Sequence, residues 1–214
     1  MTYTGQTQVG SAPLQRNLGT MRLTKIAVGP LDNNVYVLRA PDGATLVVDA
    51  AADAPRILAA TDDGRIDAVL TTHCHQDHWG ALAQTVAATQ AHTYASVEDA
   101  PAIPVRTDTP LAAGDVIVLG DMAVDVILLR GHTPGGLALH VQDAGGGHHL
   151  ITGDSLFPGG VGRTTPETFP MLLADVRTKL FDRFDDAWVY PGHGWDTTLA
   201  AERPYLDAWA LRGW

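Results

Sequence analysis

Short apolar runs rich in β-branched residues alternate along this chain with alanine- and leucine-rich stretches of helical period. Residues 21–28 alternate loosely and stop at Gly29-Pro30. Residues 35–39 follow Asn33-Asn34, and Pro41-Asp42-Gly43 is a turn signal before residues 44–48. These three runs are expected to form an antiparallel meander. Asp53 is placed to cap a helix that has Pro55 near its first position, runs to about residue 60 and is stopped by Gly64. Residues 68–71 read as a strand and residues 79–88 as a helix. Residues 93–95 read as a short strand, and residues 97–104 as a short helix or irregular. Residues 115–119 and 122–129 are strands about a Gly120-Asp121 hairpin. Two more strands, residues 137–141 and 149–152, flank Gly145-Gly146-Gly147. Leu172, Leu173, Val176 and Leu180 recur at helical spacing within residues 169–181. Residues 187–190 form a strand, and residues 198–211 a last helix.

The order is strands, helix, strand, helix, then the same plan again, without a sequence repeat. It predicts an α/β protein with two mixed sheets packed face to face and helices on the outer faces. There is no Pro/Ser-rich linker, so residues 19–214 are expected to be one domain. Residues 1–18 are polar and are expected to be a tail, mobile or laid across the surface.

Composition narrows the classes. A 214-residue chain with 45% hydrophobic residues can bury a sizeable core. The net charge of −10 argues against nucleic acid or an anionic membrane surface as a general partner. It does not exclude an anionic substrate, because bound cations invert the local field. No apolar run approaches the ~20 residues needed to span a bilayer. The start lacks a basic segment followed by an apolar block, so it does not read as a signal peptide. The one cysteine, Cys74, precludes an internal disulfide and fits a cytoplasmic location. A small-molecule substrate is the expected partner, and a homo-oligomer is open.

The chemistry concentrates in Thr72-His73-Cys74-His75-Gln76-Asp77-His78-Trp79-Gly80, between a strand and a helix. Four side chains there can bind a metal: His73, His75, Asp77 and His78. Imidazole and carboxylate suit a borderline cation such as zinc. Three later strands each end in a glycine-bounded His or Asp: Gly131-His132-Thr133, Gly153-Asp154-Ser155 and Gly192-His193-Gly194. Singly each is an ordinary turn; together with the first cluster they form a ligand set. Five histidines and two aspartates divide between two divalent cations, zinc first, iron or manganese as alternatives. Two metals ~3.5–4 Å apart need a shared anionic ligand. Asp154 is then the bridge, with His73, His75 and His132 on one metal and Asp77, His78 and His193 on the other. Water between the cations would lose a proton near neutral pH, giving a hydroxide for attack on carbon or phosphorus. Asp77 and Asp154 are the expected catalytic carboxylates. His92, His140, His148 and His149 have no partner ligand and are expected to be structural or on the surface. Cys74 is expected to turn away from the metals as a small packed residue.

These motifs, with Pro134-Gly135-Gly136, Leu156-Phe157, Gly162-Arg163-Thr164 and Tyr190-Pro191, resemble the metallo-β-lactamase superfamily and its glyoxalase II-like (hydroxyacylglutathione hydrolase-like) metallohydrolases. The match runs from about residue 21 to the end of the chain. The resemblance implies the αβ/βα four-layer sandwich and hydrolysis of a thioester of a small thiol carrier by a metal-bridging hydroxide. It implies that Asp49, at the end of an early strand, supports the ligand loop. It also implies that Arg163 binds substrate, where glutathione-specific members carry a basic residue. Two features depart from those members. Thr164, Thr165 and Pro166 stand where they place an aromatic residue, and their long C-terminal helical extension has no counterpart here. Another thiol carrier or a simpler acyl compound is therefore open. Other uses of the scaffold are an iron-dependent persulfide dioxygenase on two His and one carboxylate, and a lactonase or β-lactamase. A metal-bound scaffold for protein partners, using Trp195, Trp209 and Trp214, is a further alternative. Core packing or helix docking is the better expectation for Trp209.

Overall fold

The computed structural model describes residues 3–213. Seven strands form the first sheet in sequence order: β1 (Leu14–Leu18), β2 (Met21–Val28), β3 (Asn33–Arg39), β4 (Thr45–Val48), β5 (Ala68–Leu70), β6 (His92–Ser96) and β7 (Thr109–Leu111). The first four strands are antiparallel, so the expected meander is present, and β4 to β7 run parallel. The second sheet begins with β8 (Val116–Leu119), β9 (Met122–Leu128), β10 (Leu137–Gln142) and β11 (His148–Gly153). A small hairpin, β12 (Leu156–Phe157) and β13 (Gly160–Val161), leads out of it. β14 (Trp188–Pro191) and β15 (Thr197–Thr198) complete the sheet, with β14 parallel to β11.

The period-2 alternation of side chains sorts the apolar residues into layers. Tyr36, Leu38, Leu46 and Leu70 from the first sheet meet Val124, Val126, Leu139 and Ile151 from the second in one buried cluster. The opposite face of the first sheet, through Val35, Val37 and Val47, packs on α1 (Ala54–Ala59) and α2 (Leu82–Thr89). The opposite face of the second sheet, through Ile127, Leu150 and Val189, packs on α3 (Phe169–Val176) and, past α4 (Leu199–Glu202), on α5 (Leu206–Arg212). The four layers are therefore helix, sheet, sheet, helix, as expected. Asp53 caps α1 by accepting from the Arg56 N–H at 3.2 Å. Trp209 is buried against α3, while Trp195 is 59% exposed. Trp214 lies outside the described residues. Among the described residues no helix is long and apolar enough to cross a membrane.

Three expectations need correction. Part of the expected tail, Leu14–Leu18, is an edge strand paired with β2, because its polar alternation suits a half-exposed edge. The expected helix at residues 198–211 is broken by a 3₁₀ turn at Arg203–Tyr205, where Pro204 lacks the N–H a continuous helix needs. The helix expected from residue 79 begins at Leu82. A 3₁₀ turn at Gln76–His78 precedes it, and Gly80 lies against the Ala51 carbonyl, where a Cβ would come within 2.7 Å.

Candidate metal centre

The ligand candidates come from loops at one common edge of both sheets. His73, His75, Asp77 and His78 follow β5, His132 lies between β9 and β10, Asp154 follows β11 and His193 follows β14. The structure brings all seven together in three overlapping groups: His73 with His75 and His132, His73 with His78 and Asp154, and Asp77 with His78 and His193. Within the first group His73 Nε2 lies 3.1 Å from His75 Nδ1. In the last, His78 Nε2 lies 3.2 Å from His193 Nε2, and Asp77 Oδ2 is 3.3 Å from that atom. Asp154 stands between them. Its Oδ1 is 3.4 Å from His78 Nε2, and its Oδ2 is 3.5 Å from His193 Nε2 and 3.6 Å from His132 Nε2. Cys74, His92, His140, His148 and His149 join none of these groups.

The outer ring nitrogens are held by the protein. His78 Nδ1 donates to Asp49 Oδ2 at 2.8 Å, His132 Nδ1 to the Arg163 carbonyl at 2.7 Å, and His193 Nδ1 to the Leu31 carbonyl at 3.0 Å. His73 Nδ1 sits 3.1 Å from the Thr72 hydroxyl, which itself donates to Asp49. These outer bonds assign the tautomers and leave each Nε2 as an inward lone pair. Several lone pairs and carboxylate oxygens then face one another. His132 Nε2 and Asp154 Oδ1 are buried without a hydrogen-bond partner. Such an arrangement is costly unless a cation occupies it. The donor set, imidazole nitrogen and carboxylate oxygen, is one that divalent metals accept.

The electrostatics agree. Burial pulls the His73 imidazole well below its ordinary pKa, and neighbouring His78 adds to the effect. His132 is lowered by burial, against the attraction of Asp154. For His78 burial is outweighed by the Asp49 and Asp154 carboxylates, which push it up. Asp154 is held far below the usual carboxylate range by His193 and His78 despite its burial.

Supporting residues lie around the centre. Asp49, 2% exposed, accepts from the Thr72 N–H at 2.7 Å as well as from His78, so one carboxylate fixes both ends of the ligand loop. Asn33 was not singled out by sequence; its Nδ2 donates to Asp77 Oδ2 at 2.8 Å. Asn34 donates from Nδ2 to the Pro191 and Gly194 carbonyls and from its N–H to Gly192, pinning the His193 loop. Asp99, also missed, is buried and accepts from the Cys74 N–H at 3.0 Å and the Gly135 N–H at 2.8 Å, joining the loops of His73 and His132. Only the buried polar pair Asn33-Asn34 at the head of an apolar strand offered a local signal. Burial and Asp99 push the Cys74 thiol up to about 11, and the side chain packs under α2, as expected.

Gly192 shows how tightly the centre is built. A Cβ there would lie 2.2 Å from Asp154 Oδ1 and 2.8 Å from His78 Cε1. Gly192→Ala is expected to lower metal affinity about 10- to 100-fold, the scale of disturbing groups that orient a ligand. Metal analysis after dialysis reads this directly, and retention of wild-type metal content would show that the loop yields freely.

On the side of His75 and His132 the centre opens into a cavity of about 690 Å³ bordered by Arg130, Arg163 and Met171. Arg163 thus contributes twice: its carbonyl holds His132, and its exposed side chain borders the cavity.

Comparison with known proteins gives a consistent picture. The family described as the metallo-beta-lactamase superfamily matches residues 28–203. A hydroxyacylglutathione hydrolase of Rhodopseudomonas palustris is 35% identical over 164 residues, covering 76% of this chain and 62% of that protein. One from Stenotrophomonas maltophilia is 38% identical over 162 residues, covering 73% and 58%. An uncharacterized protein of Aquifex aeolicus is 29% identical over 204 residues, covering 86% and 95%. The chain thus spans about three fifths of the length of the hydroxyacylglutathione hydrolases it matches. Among solved structures, the BLEG-1 B3 metallo-beta-lactamase superposes with a TM-score of 0.73 at 25% identity, over 85% of this chain and 96% of that one. TTHA1623 in a di-iron-bound form gives 0.68 at 29% identity, over 84% and 96%.

Proposed function

Because the chain belongs to the metallo-beta-lactamase superfamily, we propose that it is a dinuclear metal-dependent hydrolase whose substrate is a thioester of a small thiol carrier. The observation that carries the dinuclear reading is the position of Asp154, whose two oxygens lie 3.4–3.6 Å from His78, His193 and His132, so that one carboxylate faces both ligand groups. The thioester is supported by the relatives named hydroxyacylglutathione hydrolase, at 35–38% identity over 162–164 residues.

His73, His75 and His132 would hold one cation and Asp77, His78 and His193 the other, with Asp154 shared. Zinc is the proposed metal, since the nitrogen and oxygen donors suit it; iron is the first alternative, given the di-iron form of one structural neighbour. Bound there, divalent cations supply Lewis acidity, lowering the pKa of water toward neutrality and countering negative charge on a carbonyl oxygen. The chain's own residues do the positioning. Asp49, Arg163 through its carbonyl, and Leu31 hold the rings of His78, His132 and His193 in one orientation, so the centre needs no rearrangement during reaction. Asp77 is kept ionised chiefly by its Asn33 hydrogen bond and by His78, against its burial. Asp154 is ionised for the reasons given above. These two carboxylates are the proposed catalytic pair, the anions that would balance the charge of the bound cations. Hydrolysis adds hydroxyl to the carbonyl carbon and releases the sulfur as thiol.

A mononuclear oxygenase would need only two histidines and one carboxylate, leaving four of the seven candidates, Asp77, His78, His193 and one of His73 and His75, without a role. Removing metal with a chelator should abolish thiol release from acyl-thioesters, and zinc, manganese or iron should restore it at two metals per chain by elemental analysis. No release with any metal, together with oxygen uptake on a persulfide or opening of a lactone or β-lactam, would overturn the thioesterase reading.

A further inference from the structure

The cavity beside His75 and His132 has a charge opposite to that of the molecule. The chain carries −10 overall, yet the cavity border includes two guanidinium groups, Arg130 and Arg163, and no carboxylate. Arg130 is held in place from behind. Its N–H donates to Asp175 Oδ2 at 3.0 Å, its Nε to the same oxygen at 3.1 Å and its Nη2 to Oδ1 at 3.3 Å. Asp175 is buried and already has a second cation, Lys179, at 2.9 Å. Arg130 thus shares this carboxylate with Lys179, and Glu98 is a further anion near its guanidinium. Nη1 of Arg130 is left, among the described residues, without an acceptor, and 49% of its side chain is exposed. A guanidinium fixed along one edge loses little freedom on binding an anion with the other, so it recognises a carboxylate better than a free surface arginine does.

We infer that this cavity seats the anionic end of the substrate: a thioester bearing a free carboxylate, held by Arg130 and Arg163, with Arg130 as a specificity-determining residue. This rests on the reading of the adjoining His/Asp cluster as the reacting centre. The reacting carbonyl lies at the His75–His132 end, and the carboxylate reaches the arginines at the other.

The test is equilibrium binding to the metal-loaded protein by calorimetry. The probes are non-hydrolysable ketones in which a methylene replaces the thioester sulfur. Each is made as a carboxylate and as the matching primary amide, with that group on the thiol half in one series and on the acyl half in the other. One series should favour carboxylate over amide by about tenfold or more, the ratio expected of a charge-assisted hydrogen bond. Which series does so says where the substrate carries its charge. Arg130→Met should collapse that ratio, and Arg130→Lys should restore part of it. A purely structural Arg130 would shift carboxylate and amide binding equally and leave the ratio untouched. Equal affinity for both forms, a ratio unmoved in Arg130→Met, or no carboxylate binding in either series would overturn the inference. Thiol release from an uncharged thioester is measured alongside; its failure would count against the hydrolase reading, whereas the carboxylate-to-amide ratio judges this one.

Discussion

Asp154→Ala is expected to lose bound metal and to reduce thiol release by roughly a thousandfold or more, the upper range for removing one electrostatic element of a reacting centre. The reason is position as much as charge. Asp154 faces His78 and His193 on one side and His132 on the other, and its Oδ1 is buried without a hydrogen bond. Without its carboxylate, five imidazoles would share two cations with Asp77 alone as an anion. Asp154→Asn separates shape from charge: it keeps the volume and should still lose most of the metal. Elemental analysis and thiol release are read on the same preparation. Full metal content with wild-type turnover in either variant would remove Asp154 from the centre.

The second large effect lies away from the ligands. Lys25 is fully buried and donates from Nζ to the Gly5 carbonyl at 2.9 Å, the Gly194 carbonyl at 2.8 Å and Asp196 Oδ1 at 2.6 Å. Asp196 also accepts from the Tyr3 hydroxyl at 2.7 Å and the Trp188 indole at 2.9 Å. Lys25→Met strands a buried carboxylate. It should cost about 3–5 kcal/mol, as breaking one partner of a buried pair does. For a chain of this size that is a fall in Tm of roughly ten degrees. Replacing both partners, Lys25→Met with Asp196→Leu, should recover much of the loss, because no unpaired charge remains. A single variant within about 1 kcal/mol of wild type in denaturant unfolding would show that the pair is relaxed by water.

Most of the architecture could be read from local pattern. The apolar alternation in β2 to β5 and β8 to β11 marks strands wherever the sequence lies, and glycine beside His132, Asp154 and His193 flagged each strand end. What escaped has no local signature. β1 is a half-exposed edge strand without an apolar run, β7 has three residues and β15 has two. Asp99 is an ordinary acidic residue in sequence; only the fold sets its carboxylate between Cys74 and Gly135. Lys25 reads as a solvent-facing position on a strand, and the fold instead covers it with Gly5 and Gly194. The end of the predicted helix over residues 169–181 winds into a π turn at Arg177–Phe181, a backbone adjustment that side-chain periodicity does not encode.

The ligand loops also divide by sheet. His73, His75, Asp77 and His78 belong to the first sheet, and His132, Asp154 and His193 to the second. Each of the three candidate groups draws from both. A cation held there would therefore rivet the two halves of the sandwich, and its binding free energy would enter folding by mass action. The free metal concentration would then be a thermodynamic variable of the fold, setting how firmly one sheet is fastened to the other.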